Sequence, residues 1–147
     1  MDFMKIALNE AKKGVSGKHG GPFGAVIVCD NKIIAKAHNM VLKNNDPTAH
    51  AEINAIRIAS KKLKTVNLDN CILYSTCEPC PMCLSAIYWS RIKKIIFSCS
   101  RLDAKKAGFD DKKIYDSFLK NKCLIEKEII DFRDIKSFMR AYSGKKY

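Results

Sequence analysis

The sequence has no apolar run long enough to cross a bilayer, since stretches such as residues 25–29 have only the length of a β-strand. It also lacks the basic segment and apolar run of a secretory signal peptide at its start. No repeat, low-complexity tract or proline- and serine-rich linker interrupts it. We therefore expect one soluble, cytoplasmic domain over residues 1–147, and a hydrophobic content of 47% is enough for a single core.

A disulfide framework has little support, because the seven cysteines are an odd number in a chain without an export signal. Metal binding, catalysis and core packing remain open for them. Cys29, Cys71 and Cys99 lie within apolar, strand-like runs, where a buried thiol acts as a small hydrophobic group. We expect these three cysteines to belong to the core.

Arginine is scarce: the 27 basic residues are 22 lysines and five arginines, and the net charge is +12. A basic protein is a candidate for binding nucleic acid. The lysines, however, form pairs scattered along the whole chain, whereas nucleic-acid readers usually show clustered arginine and exposed aromatic residues. The pattern favours a solvated lysine surface, so we expect neither a nucleic-acid nor a membrane partner.

Helix and strand patterns alternate along the chain, which predicts an α/β layered domain with a mixed sheet. The turn residues Asp30-Asn31 separate two β-rich runs and indicate an antiparallel hairpin, and later strand–helix–strand units should be parallel. Asp46-Pro47 is typical of a helix start. The predicted strands are 23–28, 33–38, 71–75 and 92–98, and the predicted helices begin near residues 3, 47, 81, 114 and 134.

Two short segments place metal-binding side chains at predicted helix starts: His50-Ala51-Glu52 and Pro79-Cys80-Pro81-Met82-Cys83. Helix N-termini stabilise thiolates, the form of cysteine that binds metal. One imidazole and two thiolates suit zinc and leave a fourth tetrahedral position for water, whose pKa zinc lowers to about 7. We expect one zinc ion per chain, held by His50, Cys80 and Cys83.

Cys77 leaves a second ligand set open, because Cys77-Glu78-Pro79-Cys80 is also a Cys-x-x-Cys motif. The proline before Cys80 and the helix start at Pro81 favour Cys80 and Cys83 as ligands. Cys77 is then a structural residue.

Glu52 is the candidate proton carrier, since a carboxylate beside a zinc-bound water can act as general base and then as general acid. Residues i and i+2 diverge around a helix axis, so His50 and Glu52 share a site only if they lie at the helix end. His-x-Glu followed by Pro-Cys-x-x-Cys is the signature of zinc-dependent nucleobase deaminases.

At these residues the chain resembles the bacterial guanine deaminases of the cytidine-deaminase superfamily. The resemblance includes Gly-Gly-Pro-Phe-Gly at 20–24, Asn-Asp-Pro-Thr-Ala-His-Ala-Glu at 45–52, Cys-Glu-Pro-Cys-Pro-Met-Cys at 77–83, Ala-Ile-Tyr-Trp at 86–89 and Ala-Gly-Phe-Asp-Asp at 107–111. It implies a three-layer α/β/α fold with a central mixed five-stranded sheet. It also implies a homodimer that exchanges its C-terminal segments, about residues 134–147, and hydrolysis of guanine to xanthine and ammonia.

The resemblance also implies roles for individual residues around a small purine substrate. His50, Cys80 and Cys83 bind zinc and Glu52 shuttles protons. The other matched residues are Asn39 at the polar edge of the purine, Phe23 and Trp89 around the base, Asp111 at the departing amino group, and Tyr147 closing the partner's site. The chain departs from the family pattern after Tyr115 and in its Gly-Lys-Lys-Tyr ending.

Three alternatives share parts of this pattern. A tRNA-specific adenosine deaminase uses the same zinc chemistry, and the basic charge favours it, whereas the guanine-type motifs oppose it. A deaminase of a related aminopurine, guanosine or an aminotriazine would have a pocket of similar shape. A zinc-stabilised binding module without turnover has no need of Glu52.

Overall fold

The computed structural model describes residues 2–109 and 111–120, which form a mixed sheet flanked by helices. The strands are β1 (Gly24–Cys29), β2 (Lys32–His38), β3 (Cys71–Cys77) and β4 (Lys94–Cys99). The helices are α1 (Phe3–Ser16), α2 (Val41–Asn44), α3 (Ala51–Leu63), α4 (Pro81–Trp89), α5 (Arg101–Lys106) and α6 (Asp111–Leu119).

The strands lie in the order β2-β1-β3-β4. β1 pairs antiparallel with both β2 and β3, while β3 and β4 are parallel, so the predicted mixed sheet is confirmed. Asp30 and Asn31 join β1 to β2 with φ of 48° and 60°. Two consecutive positive φ values define the type I′ turn that suits a two-residue hairpin, and aspartate and asparagine tolerate this conformation.

The sheet has four strands in the described residues, not the five that the family resemblance implied. Each of the four β-rich runs in the sequence forms one strand. The described residues contain no further β-rich run that could form a fifth strand. Residues 121–147, which include the helix predicted near residue 134 and the segment predicted to be exchanged, lie outside the described residues.

Alternate side chains of β1 face two helical layers, which gives the α/β/α arrangement. Ala25 and Ile27 pack with the small buried residues of α3, and Val26 and Val28 pack with Ala7 of α1. Helix α1 lies so close to the start of β1 that a Cβ at Gly24 would come within 2.1 Å of the Ala7 carbonyl oxygen. Glycine is therefore required there for close packing.

Helix α3 begins at Ala51, later than the start predicted at Asp46-Pro47. Asp46 uses its Oδ1 to accept hydrogen bonds from the Thr48 backbone N–H at 2.8 Å and from the Thr48 hydroxyl at 2.6 Å. This local turn competes with helix capping, as short polar side chains commonly do. Because α3 begins at Ala51, His50 is its N-cap residue.

The cysteines predicted to lie in the core differ in their burial. Cys71 is buried and Cys29 is half-buried, but Cys99 is exposed, so the prediction is wrong for Cys99. Cys99 ends β4, which is the edge strand of the sheet in the described residues, and several β4 side chains are exposed. None of the helices among the described residues is long and apolar enough to span a membrane.

Candidate metal centre and active site

Two helix starts bring the predicted zinc ligands together. His50 and Cys80 are the N-cap residues of α3 and α4, with extended backbones at φ/ψ of −67°/158° and −64°/167°. Neither side chain caps its own helix. Cys83 lies in the first turn of α4, and the His50 Nδ1 atom is 3.6 Å from Cys80 Sγ and 3.5 Å from Cys83 Sγ.

These distances fit a tetrahedral zinc site. Zinc–nitrogen bonds of about 2.1 Å and zinc–sulfur bonds of about 2.3 Å, at tetrahedral angles, put nitrogen and sulfur about 3.6 Å apart. The three ligand atoms of His50, Cys80 and Cys83 all lie within 4.8 Å of one another. The donor set therefore can hold zinc with three protein ligands, which leaves one tetrahedral position for water or substrate.

Cys77 has a different environment from the two cysteines that converge on His50. Its Sγ donates to the Ser100 carbonyl oxygen at 3.6 Å, and burial raises the pKa of its thiol to about 12. Hydrogen bonds from Cys83 and His50 instead lower the pKa of Cys80 to about 4. The protein thus stabilises a thiolate at Cys80, whereas the hydrogen bond with Cys80 raises the pKa of the Cys83 thiol. Geometry therefore selects Cys83 over Cys77 as the second sulfur ligand, because the Cys83 Sγ atom lies 3.5 Å from His50 Nδ1.

Glu52, in the first turn of α3, is buried next to the metal-binding residues. Its Oε1 accepts a 3.0 Å hydrogen bond from the Ser75 hydroxyl, and its Oε2 lies 3.5 Å from Cys83 Sγ. Burial raises the pKa of the Glu52 carboxyl, so this group holds a proton more readily than an exposed glutamate does. Ser75 itself is 1% exposed on β3, so its hydroxyl is a fixed support for Glu52.

A cavity of about 780 Å³ opens beside this cluster. His50, Glu52 and Cys80 form its metal-binding side. The lining also includes Gly20, Gly21, Phe23, Asn39, Val41, Leu42, Pro47, Cys77, Glu78, Met82, Ala104, Phe109, Asp111, Lys113 and Ile114. A concave, largely apolar pocket with a few convergent polar groups is the usual form of a small-molecule site.

Asn39 lines the cavity with one end of its carboxamide already engaged. Its Oδ1 accepts a 3.1 Å hydrogen bond from the Val41 backbone N–H. Because an N–H needs an acceptor, this bond assigns the oxygen and leaves the Nδ2 amide to donate to a ligand. Gly20 makes room for the carboxamide, since a Cβ at that position would come within 2.0 Å of Asn39 Oδ1.

Asp111, the first residue of α6, lines the same cavity. Its Oδ1 is buried and accepts no hydrogen bond from the described residues. Burial also raises the pKa of its carboxyl. A buried acceptor without a partner is costly in a folded protein, so this oxygen is suited to a donor group on a ligand.

Phe23 and Phe109 form the aromatic part of the cavity wall. Their ring centroids are 4.7 Å apart with an interplanar angle of 72°, an edge-to-face contact. Phe109 was noted in the sequence only as part of a motif, without a role. Its position at the wall depends on the packing of the loop after α5, which spacing alone does not reveal.

The structure does not bring Trp89 to the cavity of its own chain. Trp89 ends α4, six residues beyond Cys83, which is about 9 Å along a helix axis. It is 56% exposed and lies under the Arg91 guanidinium, 5.8 Å from the ring centroid. Its predicted contact with the base is therefore not made within one chain, and Tyr147 lies outside the described residues.

A set of contacts that sequence reasoning missed holds the ligand-bearing loop to α5 and α6. The Tyr115 hydroxyl donates to the Pro79 carbonyl oxygen at 2.6 Å, next to Cys80. Glu78 accepts a 2.9 Å hydrogen bond from the Arg101 backbone N–H, and the Arg101 guanidinium lies over the Tyr115 ring. These contacts fix Asp111, on the same helix as Tyr115, relative to the metal-binding residues.

Comparison with known proteins assigns the chain to a family. Residues 1–99 match the cytidine and deoxycytidylate deaminase zinc-binding region, and the chain belongs to that family. The protein is thus a zinc-binding deaminase by family.

Among individual proteins, the chain is 57% identical to guanine deaminase of Bacillus subtilis (strain 168) over 113 residues, 77% of this chain and 72% of that one. The X-ray structure of guanine deaminase from Bacillus subtilis superposes with a TM-score of 0.88 and 45% identity, covering 99% of this chain and 96% of that chain. The tRNA-specific adenosine deaminase of Aquifex aeolicus (strain VF5) is 51% identical over 106 residues, 72% of this chain and 68% of that one.

Proposed function

We propose that the protein is a zinc-dependent guanine deaminase that converts guanine and water to xanthine and ammonia. The observation that carries this proposal is the convergence of His50, Cys80 and Cys83 with the buried Glu52 at one cavity wall. A structural zinc site has no need of such a carboxylate, whereas a hydrolytic deaminase does.

The chemistry divides between one metal ion per chain and the protein's own side chains. Zinc, when bound, lowers the pKa of a water molecule so that a nucleophile is available at neutral pH. Glu52 would take one proton from the attacking water and give it to a ring nitrogen as the water oxygen bonds to the carbon that carries the amino group. It would then take the second proton, from the added hydroxyl, and deliver it to the departing amine as the C–N bond breaks. The Ser75 hydroxyl keeps the Glu52 carboxylate oriented through these transfers.

A second set of lining residues would orient a purine. This set, here called the purine side, is Phe23, Asn39, Phe109 and Asp111 with their neighbours in the cavity lining. Asn39 Nδ2 donates to an acceptor on the polar edge of the base, and Asp111 Oδ1 accepts from the amino group that is lost. Phe23 and Phe109 contact the apolar part of the ring system and exclude water. Two directional polar contacts, from Asn39 and Asp111, would fix the base in one orientation.

Ammonia release from a set of substrates tests the proposal. Free guanine should be deaminated without added RNA, and adenine, cytosine and guanosine should react more slowly. RNA should bind weakly and with a steep dependence on salt, because scattered lysines favour non-specific electrostatic contacts. Turnover of a tRNA anticodon stem-loop with none of free guanine would instead support an adenosine deaminase, which the similarity to the Aquifex aeolicus relative favours.

We further propose a homodimer with exchanged C-terminal segments. The support from the described residues is the exposed apolar surface of α4, where Leu84, Tyr88 and Trp89 are 45%, 68% and 56% exposed. Such surfaces commonly mark protein interfaces.

The six described cysteines are free thiols, which fits our proposal of a cytoplasmic enzyme.

Mixing two defective chains tests the exchange. With exchanged segments, a heterodimer of Asp111→Ala and a chain lacking Tyr147 carries both defects in one site and neither in the other, so activity recovers. With segments that close their own sites, every site keeps one defect. Absence of recovery after proven subunit exchange would rule the exchange out.

A further inference from the structure

A hydrogen-bonded chain of three side chains lies behind the purine side of the cavity. His38, the last residue of β2, is buried against α1, and its Nδ1 is 3.1 Å from Oε2 of the buried Glu10. On its other side, His38 Nε2 is 2.8 Å from His19 Nδ1. A Cβ at Gly14 would come within 2.9 Å of the His38 ring, so the helix is shaped to admit this imidazole.

The chemistry of Glu10 fixes the direction of its hydrogen bond with His38. The Glu10 carboxylate only accepts, so His38 Nδ1 carries a proton and donates to it. In the second bond, the Nε2 atom of a neutral His38 accepts from the Nδ1–H of His19, whereas the Nε2–H of a protonated His38 donates to the Nδ1 of His19. Burial and the nearby Lys43 lower the pKa of His19, which favours the neutral ring that this arrangement uses.

Each histidine directly precedes a residue of the cavity wall. His38 precedes Asn39, and His19 precedes Gly20, whose backbone lies against the Asn39 carboxamide. The His19 carbonyl oxygen also accepts hydrogen bonds from the backbone N–H groups of Leu42 at 3.0 Å and Lys43 at 3.1 Å. The His19–His38 bond therefore joins two of the segments, 19–23 and 38–42, that contribute to the purine side.

We propose that His19, His38 and Glu10 are positioning residues that hold Asn39 at the distance needed to bind the purine. This inference rests on the proposed function. None of the three residues lines the cavity wall, so they act through Asn39 and its neighbouring segment. An Asn39 contact made equally in the bound substrate and in the transition state changes KM and leaves kcat unchanged.

Substitutions at His19 separate this role from general packing. His19→Phe keeps an aromatic ring but removes the hydrogen-bonding nitrogen, so KM should rise about tenfold, the effect of one lost hydrogen bond, while kcat and zinc content stay near wild type. His19→Asn keeps an amide that donates or accepts close to the Nδ1 position and should restore KM to within about threefold of wild type. Lys36→Gln is the matched control, because it removes the 3.9 Å ion pair with Glu10 and leaves the chain of bonds intact.

The kinetics should be measured with whichever base the wild-type enzyme deaminates fastest, so that a wrong substrate assignment does not affect this test. An unchanged KM in His19→Phe, or a KM in His19→Asn as high as in His19→Phe, would overturn the positioning role. Nitrogen-15 NMR of the wild-type zinc protein gives a second test that needs neither a variant nor turnover. His38 should carry a proton on Nδ1 that is shared with Glu10, and a His38 protonated only on Nε2 would overturn the proposal.

Discussion

The two sides of the cavity are built in different ways. The metal-binding side takes its residues from two compact motifs, His50 with Glu52 and Cys80 with Cys83, each at the start of a helix. The purine side joins Phe23, Asn39, Phe109 and Asp111, which come from three separate segments of the chain. The difference indicates that local spacing specifies the reaction, whereas substrate recognition depends on how distant segments pack.

Of the substitutions that test this difference between the two sides, removal of a metal ligand should have the largest effect on activity. Cys83→Ala takes away one of three protein ligands, so the purified variant should lose zinc and all measurable activity. Cys77→Ala is the matched control, since the Cys77 thiol bonds to Ser100 instead and the variant should keep about one zinc per chain. Metal analysis that found full zinc in Cys83→Ala and none in Cys77→Ala would reverse the ligand assignment.

Glu52→Gln should separate binding from chemistry on the metal-binding side. Glutamine has the size of glutamate but does not carry protons, so turnover should fall by at least about 10²-fold. Zinc content should remain at the wild-type level, because Glu52 is not among the three converging ligands. Near-normal steady-state turnover in this variant would show that another group shuttles the protons.

A substitution on the purine side, Asp111→Asn, should have an intermediate effect. The loss of a charged acceptor for the amino group should lower kcat/KM by about 10- to 100-fold and leave zinc in place. Asp116→Asn on the same helix is the matched control, because Asp116 pairs with Lys112 and does not line the cavity. Equal kinetic constants for the two variants would contradict a substrate contact by Asp111.

The smallest effect on kcat/KM is expected for a hydrogen bond that connects α6, which carries Asp111, to the loop before Cys80. Tyr115→Phe removes the hydroxyl that donates to the Pro79 carbonyl oxygen, so kcat/KM should fall by about two- to fivefold, near the lower range for a single hydrogen bond. Tyr74→Phe, on the opposite part of the sheet against Phe3, should leave the kinetics unchanged. A wild-type kcat/KM in Tyr115→Phe would show that this contact does not align α6 with the metal-binding residues.

The difference between the two sides of the cavity also explains which parts of the fold and of the site could be predicted from the sequence alone. All four strands of the described sheet and the convergence of His50, Cys80 and Cys83 followed from periodicity and from short motif spacings. The roles of Ser75 and Tyr115 were not predicted, because they come from contacts between a strand or helix and a distant segment.

Errors in the predictions had a similar origin. The start of α3 was placed too early because Asp46 bonds to Thr48 instead of capping the helix. The contact of Trp89 with the base stays a prediction, because Trp89 does not line the cavity of its own chain and a family motif does not specify which chain's site it approaches. Cys99 was assigned to the core from an apolar pattern that does not reveal which strand lies at the edge.

Hydrolysis of free guanine in water enriched in oxygen-18 tests the central claim most directly. Mass spectrometry of the product should show xanthine carrying one oxygen-18 atom, with one ammonia released per guanine and no RNA present. This result requires the metal-binding side and the purine side to act together on a free base. Absence of labelled xanthine from a fully zinc-loaded enzyme would contradict the proposed reaction.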